Sequence, residues 1–249
     1  MAPIQHLGNI DKRKRASQQV AFGFFSFLSY LVVVILFVIL GFIILKGASV
    51  ISWDFLTQAP QEGMTSGGIF PAIVGTLYLV IGSSLISFPI GIMSGIYMNE
   101  YATNGKLIRF IRIMTNNLSG VPSVVFGLFG MSLFVSTLGW GDSIIAGSFT
   151  LALMSLPLII RTTEEALKSI DDSFRHGSLA LGATKLQTIR RVVLPIAFPN
   201  IITGLILSIG RVSGETAPIL FTVAAYFLPQ LPKSIFDQCM ALPYHLYVI

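Results

Sequence analysis

The chain has 249 residues, of which 53% are hydrophobic and 11% charged, with a mean hydropathy of +0.79 and a formal charge of +5. Ordinary soluble domains carry about 25% charged residues, so the composition excludes one and points to a membrane protein. A lone cysteine, Cys239, excludes an internal disulfide and a multi-cysteine metal site and reads as a packing residue. Alternating aromatic and basic stretches, which single-stranded nucleic acid needs, do not occur.

A hydrocarbon core about 30 Å thick takes roughly 20 apolar residues as helix. The first 21 residues form a basic N-terminus with the run Lys12-Arg13-Lys14-Arg15. Phe22 to Leu45 is the first predicted span. It is longer than a signal core of about 7–15 residues and has no small-residue exit, so it is a retained anchor. The second span runs Phe70 to Tyr97 with Pro89 inside it, and the third runs Leu118 to Leu138. Asn116 and Asn117 are expected to cap the third, and Pro122 to kink or cap it. The fourth, Ile144 to Ile160, is short, and the fifth begins after Pro195. The predicted fold is an all-α integral membrane bundle of five spans.

The basic residues orient it. Four precede the first span, three (Lys106, Arg109, Arg112) lie between the second and third, and six (Arg161, Lys168, Arg175, Lys185, Arg190, Arg191) between the fourth and fifth. The opposite side has Lys46 and Lys233. Cytoplasmic loops carry the Lys and Arg excess, which places the N-terminus in the cytoplasm.

The loop from Arg161 to Pro195 reads as two short helices, Thr163 to Ile170 and Ser178 to Val193. Thr162-Thr163-Glu164-Glu165 has the hydroxyls and acids of a helix start, and Arg161 to Glu165 reads as a solvated one rather than a site. The second piece is amphipathic. On periodicity alone it either lies on lipid or docks into a partner's groove.

The fifth apolar stretch, Ile196 to Leu228, holds Arg211 and Glu215 four residues apart, on one face if helical. Its 33 residues make about 50 Å of straight helix. A single helix that protrudes, or one broken near Gly214 and Pro218, fits that length. Arg211 falls about 24 Å past Pro195, which leaves it at mid-membrane or near the outer leaflet. Charges at membrane depth face protein or a wet cavity and mark a route for substrate or ion. The bland alternative is an ion pair that only neutralises two buried charges. Gly91-x-x-x-Gly95 suits close helix packing, and Gly210-x-x-x-Gly214 a hinge or a partner contact. His6, His176 and His245 are scattered without metal-ligand spacing and are expected at surfaces or interfaces.

Three stretches resemble a known family. Gly182-Ala183-Thr184 followed by Val192-Val193-Leu194-Pro195 resembles half of the EAA loop of binding-protein-dependent ABC importer permeases; the Glu-Ala-Ala positions hold His176, Gly177 and Ser178. Asn117-Leu118-Ser119-Gly120-Val121-Pro122-Ser123-Val124-Val125-Phe126-Gly127 is similar to the third-span entry of phosphate ABC permeases. Gly210-Arg211-Val212-Ser213-Gly214-Glu215-Thr216-Ala217-Pro218, with the closing Ala241 to Tyr247, resembles their PstA-type subunit. The resemblance implies a permease domain over residues 70–249, with a cytoplasmic coupling loop at 161–195. It implies inorganic phosphate as cargo, a PstC-type permease, a PstB-type ATPase dimer and an extracytoplasmic phosphate-binding protein as partners, and membrane lipid around them. It also implies six spans, so that Ile249 falls where a sixth begins. No cofactor is expected, because ATP belongs to the partner subunit. The resemblance assigns ATPase docking to Ser178-Leu179-Ala180-Leu181-Gly182-Ala183-Thr184-Lys185-Leu186-Gln187.

With phosphate as cargo, Arg211 supplies donors and Glu215 accepts the proton of hydrogen phosphate, which sulfate lacks. Ser213 and Thr216 add weaker hydroxyl contacts, and Gly210, Gly214 and Pro218 form the hinge. The chain has no Gly-x-x-x-x-Gly-Lys-[Ser/Thr] loop, no His-Glu-x-x-His and no Gly-x-Ser-x-Gly elbow, so it reads as a transport subunit and not an enzyme. The competing readings are a permease half for another oxyanion or small solute, and a channel or self-sufficient carrier.

Overall fold

The computed structural model describes residues 5–102 and 105–249. The side chains of His6, Asp11, Lys12 and Arg13 lie outside what is described. Contacts divide the chain into two units, 1–55 and 56–249.

The first unit is dominated by α1 (Gln5–Gly47). Within its stretch Ser17–Gly47 the most apolar 18 residues have mean hydropathy 3.2, and none of them is buried. A helix apolar on every side suits lipid as its solvent, and the expected first span lies within it.

The second unit begins with α2 (Trp53–Thr57), which straddles the division, and a small antiparallel ladder, β1 (Pro60–Gln61) on β2 (Ser66–Gly67). Its core is the parallel pair α3 (Phe70–Ile96) and α6 (Ile144–Lys168). Gly82 meets Ser148, Gly91 meets Ile159 and Gly95 meets Thr163, so the backbones touch where a Cβ has no room. The Gly91/Gly95 spacing is thus used for packing. Tyr97–Tyr101 extends α3 as a π turn.

The third predicted span is broken. α4 (Lys106–Leu118) and α5 (Ser123–Gly130, continued by a π turn to Thr137) meet at 102°. Pro122, at the N-cap position of α5 with extended ψ 140°, ends the first piece. Asn116 and Asn117 therefore close α4 and do not cap the span. The fourth span is also longer than predicted. α6 continues through Thr163 and Glu164, both buried, to Lys168, so no separate helix starts at Thr163. The reason is electrostatic: Glu164 bonds Lys168 at 2.7 Å and Arg112 at 2.9 Å, which lets the helix carry charge beyond the apolar stretch.

After α7 (Asp172–Ala180), the chain turns at Gly182, whose φ of +84° suits only glycine, and enters α8 (Lys185–Thr188). A π turn, Ile189–Val193, joins α8 to α9 (Leu194–Ser213), so the fifth long helix begins at Lys185 and not after Pro195. The predicted helix Ser178 to Val193 is accordingly split by the Gly182 turn. α9 stops at Gly214, followed by one turn, α10 (Ala217–Leu220). From there the chain folds back over the start of α6 instead of continuing as helix. Ser143 N–H donates to Thr222 O at 2.9 Å, Ile144 N–H to Asp237 O at 2.9 Å and Ile145 N–H to Ile235 O at 3.0 Å. These bonds satisfy amides that a helix start leaves open. The closing helix α11 (Leu242–Val248) packs on α3, where Leu242 N–H donates to Thr76 Oγ1 at 2.9 Å. His245, expected at a surface or interface, is buried there, whereas His176 is exposed. Among the described residues four helices are long and apolar enough to span a membrane, five if the bent α4–α5 pair counts as one span.

Candidate transport path and docking face

Packing register sets the depth of the charged pair. Gly204 of α9 lies against Thr162 of α6, and Val212 shares a core cluster with Met154 and Leu151. The two helices are antiparallel, so Arg211 falls level with Ser155–Leu156, the middle of α6. α5 is registered the same way: Gly130 meets Thr150, and Gly127 meets Ala217 and Pro218. The Pro122 break and the Gly214 break therefore lie within about two helical turns of each other in depth. Two of the stretches that carried the family resemblance, 117–127 and 210–218, are brought together in space.

Arg211 occupies the last turn of α9, while Glu215 lies past its end, its N–H bonded to Val212 O at 3.2 Å. The expected four-residue helical face is thus a helix end plus a turn. The pair still forms, but loosely: Arg211 Nε is 3.5 Å from Glu215 Oε1, at the limit of a hydrogen bond. The Arg211 side chain is 40% exposed and that of Glu215 16%. Arg211 makes no other hydrogen bond among the described residues, which leaves most of its five donors open. Ser213 Oγ donates back to Ile209 O at 2.8 Å, so its hydrogen is committed to the helix. Thr216 stands at the N-cap of α10 without a capping bond. Gly210 and Gly214 meet no neighbouring element, and Pro218 is buried against Gly127.

The second candidate region is at the basic end. Within Ser178 to Gln187, Ser178 and Ala183 are half-buried and the rest exposed; Leu181 is 91% exposed. The turn is nonetheless rigidly built. Thr184 and Gln187 form a reciprocal capping box, with bonds of 3.3 and 2.9 Å. Ser178 Oγ meets Thr188 Oγ1 at 2.9 Å across the turn. Asp171 caps α7 through Ser173 N–H at 2.8 Å, and its bonds to Ser173 hold the carboxylate below its usual range. Lys185 Nζ lies 4.9 Å above the Tyr101 ring, a cation–π distance. A helix–turn–helix that shows leucines while its backbone is fixed suits docking to another protein.

Sequence reasoning missed four charged residues behind this face. Arg175 Nη2 donates to Glu100 Oε1 at 2.9 Å and to Leu167 O at 2.8 Å, and Nη1 to Ile170 O at 2.9 Å and to Asp172 Oδ1 at 3.0 Å. Bonding to Glu100 raises Arg175 above its ordinary value. Arg112 bridges Glu164 and, at 3.1 Å, Met98 O. The Glu164/Lys168 spacing was a visible signal. The Glu100–Arg175 partnership, 75 residues apart, was not. Among the described residues no group of His, Cys, Asp or Glu is placed to hold a metal.

An apolar bundle that breaks two of its helices near the level of the middle of α6, beside a half-open guanidinium, falls in the class of membrane transport proteins. Residues 87–240 match the family described as binding-protein-dependent transport system inner membrane component, and this chain belongs to that family. It is 38% identical to the phosphate transport system permease protein PstA of Mycobacterium leprae (strain TN), over 93% of this chain and 77% of that protein. It is also 38% identical to the probable ABC transporter permease protein YqgI of Bacillus subtilis (strain 168), covering 84% and 71% of the two chains. With PstA of Haemophilus influenzae (strain ATCC 51907 / DSM 11121 / KW20 / Rd) it shares 36% identity over 78% and 70%. In fold it is similar to a chain of the MetNI methionine ABC transporter in an inward-facing conformation. The TM-score is 0.52 at 22% identity, over 58% of this chain and 70% of that one.

Proposed function

We propose that this chain is one permease half of an ATP-driven importer of inorganic phosphate in a bacterial or archaeal cytoplasmic membrane. The observation that carries the reading is the Arg211 guanidinium, held at mid-depth with its donors open beside Glu215. Arg211 binds phosphate oxygens, and Glu215 accepts the proton of hydrogen phosphate; a fully deprotonated oxyanion leaves two acceptors facing each other. Thr216 adds a hydroxyl contact, and Ser213 does so by accepting only. Gly210, Gly214 and Pro218 let the end of α9 reorient. The loose pair opens for the anion and recloses behind it, so affinity resides in the extracytoplasmic phosphate-binding protein that delivers it.

Residues 70–249 form the permease domain with its coupling loop at 161–195, and α1 anchors the chain below a basic N-terminus. A PstC-type permease completes the path. A PstB-type ATPase dimer takes Ser178 to Gln187 into its surface, with Leu181 entering first, and binds the ATP. The basic end of the bundle is cytoplasmic, as the Lys and Arg excess there requires. Uptake of labelled phosphate in cells that carry Arg211→Gln or Glu215→Gln at normal membrane abundance tests the reading. Uptake falls in both. Near-normal phosphate uptake in both variants, or wild-type uptake of sulfate in preference to phosphate, overturns it.

A further inference from the structure

α7 has no buried residue, so apolar packing does not fix its position. It stands beside a cavity of about 620 Å³ lined by Asn99, Glu100, Arg175 and Lys185 among others. Among the described residues, side-chain hydrogen bonds link α7 to other elements at two places: the Ser178–Thr188 bond at its C-terminal end and the Arg175 side chain near its centre. Arg175 is the richer of the two. It holds the Glu100 carboxylate on the π turn that ends α3, and the last carbonyls around the end of α6, Leu167 and Ile170. The two side chains are 16% and 6% exposed. Asn99 Nδ2 also donates to Glu100 Oε1 at 2.9 Å, so the carboxylate is bonded from two directions. A buried ion pair contributes little net stability but, when its bonds are satisfied, it fixes one geometry. π turns in otherwise α-helical segments are frequent at functional positions.

We propose that Arg175 is a positioning residue for transport: with Glu100 it is the strut that makes α7, α3 and α6 move as one body when the ATPase pulls on the docking turn. This rests on the proposed function, since it takes the ATPase as the source of movement. It assigns a role to two residues outside both the docking segment and the charged pair of the path. Without the strut, α7 follows the ATPase while α3 stays behind, and hydrolysis no longer opens the path.

The test uses the chain purified with its partner permease and ATPase. Spin labels go on cysteines introduced at Ser173 of α7 and Met93 of α3, both exposed; native Cys239 is buried and stays unlabelled. In the wild type the α7–α3 distance is the same in the nucleotide-free and vanadate-trapped states. In Glu100→Gln/Arg175→Gln, where neither charge is left unpaired, the distance shifts or broadens on trapping, and phosphate moved per ATP hydrolysed falls about tenfold. Arg175→Lys keeps the charge but not the fork, gives the same result more weakly, and serves if the double variant does not assemble. A distance that already changes in the wild type overturns the strut. So does a variant whose distance stays fixed, or one in which uptake and hydrolysis fall in equal proportion with the amount of assembled complex. A wild-type complex that hydrolyses ATP but takes up no phosphate breaks the function reading alone, because the distance measurement does not depend on the cargo.

Discussion

The charged groups at the basic end and those at mid-depth are built in opposite ways. Glu100, Arg175, Glu164 and Arg112 sit in contacts of 2.9 Å, with their carboxylates nearly buried. Arg211 and Glu215, level with the middle of α6, touch at 3.5 Å, with the arginine side chain 40% exposed. A pair kept for stability is expected to close most tightly where the dielectric is lowest. Here the tight pairs lie toward the basic end of α6 and the loose one lies level with its middle. That inversion separates groups that hold the structure in place from groups left free to exchange partners.

The contrast breaks most directly at Arg211. Arg211→Gln lowers phosphate uptake by about tenfold to a hundredfold, the worth of one or two charged hydrogen bonds, while thermal unfolding in detergent stays within a degree or so of wild type. A drop in melting temperature equal to that of the basic-end variants reassigns Arg211–Glu215 as a structural pair. Glu164→Gln is the reciprocal case. It leaves Arg112 and Lys168 without their common partner and costs about 2–3 kcal/mol, less than a fully buried pair because both cations are partly solvated. Its melting temperature falls, and uptake per folded complex changes little.

Between these two regions lies the contact that holds the breaks together. Gly127→Val pushes a branched side chain into Ala217, Pro218 and Phe221, and overpacking of this kind costs about 2 kcal/mol. Because the clash parts the two broken helices, uptake falls more than stability does. Gly210→Val, where a Cβ meets open space, leaves the unfolding temperature of the isolated subunit nearly unchanged. Equal effects at the two glycines remove the junction of the breaks as a distinct feature.

Much of this was legible in the residues. The spans are, because lipid leaves a helix no choice but to be apolar: α1 and α3 fall where hydropathy alone places them. The end of α9 is, because Gly214 weakens its last turn and Pro218, with no N–H to donate, fits the first turn of the helix that follows, α10. The misreadings share one cause, a local signal overruled by a distant partner. Thr162-Thr163-Glu164-Glu165 has the chemistry of a helix start, yet Glu164 finds Arg112 from α4, and the helix runs through it. Arg175 looked like one more cytoplasmic charge until the fold set Glu100 against it. Spacing reports neighbours within a few turns of chain; it is silent on a bond that closes across 75 residues.

The smallest expected effect tests whether the docking turn is as rigid as the strut behind it. Thr184→Ala removes one half of the capping box and costs about 1 kcal/mol, concentrated in α8 and the Gly182 turn. Amide hydrogen exchange reads this locally: Lys185 to Ile189 exchange faster, while α6 and α9 keep their protection. Global loss of protection shows instead that the turn is part of the bundle's own folding unit. The local result separates two jobs within one short stretch. Thr184 and Gln187 shape the proposed docking surface, whereas Arg175, ten residues or so before them, ties α7 to the ends of α3 and α6. On the proposed function, a variant that loosens the first without the second loses grip on the ATPase but not the link from α7 to α3.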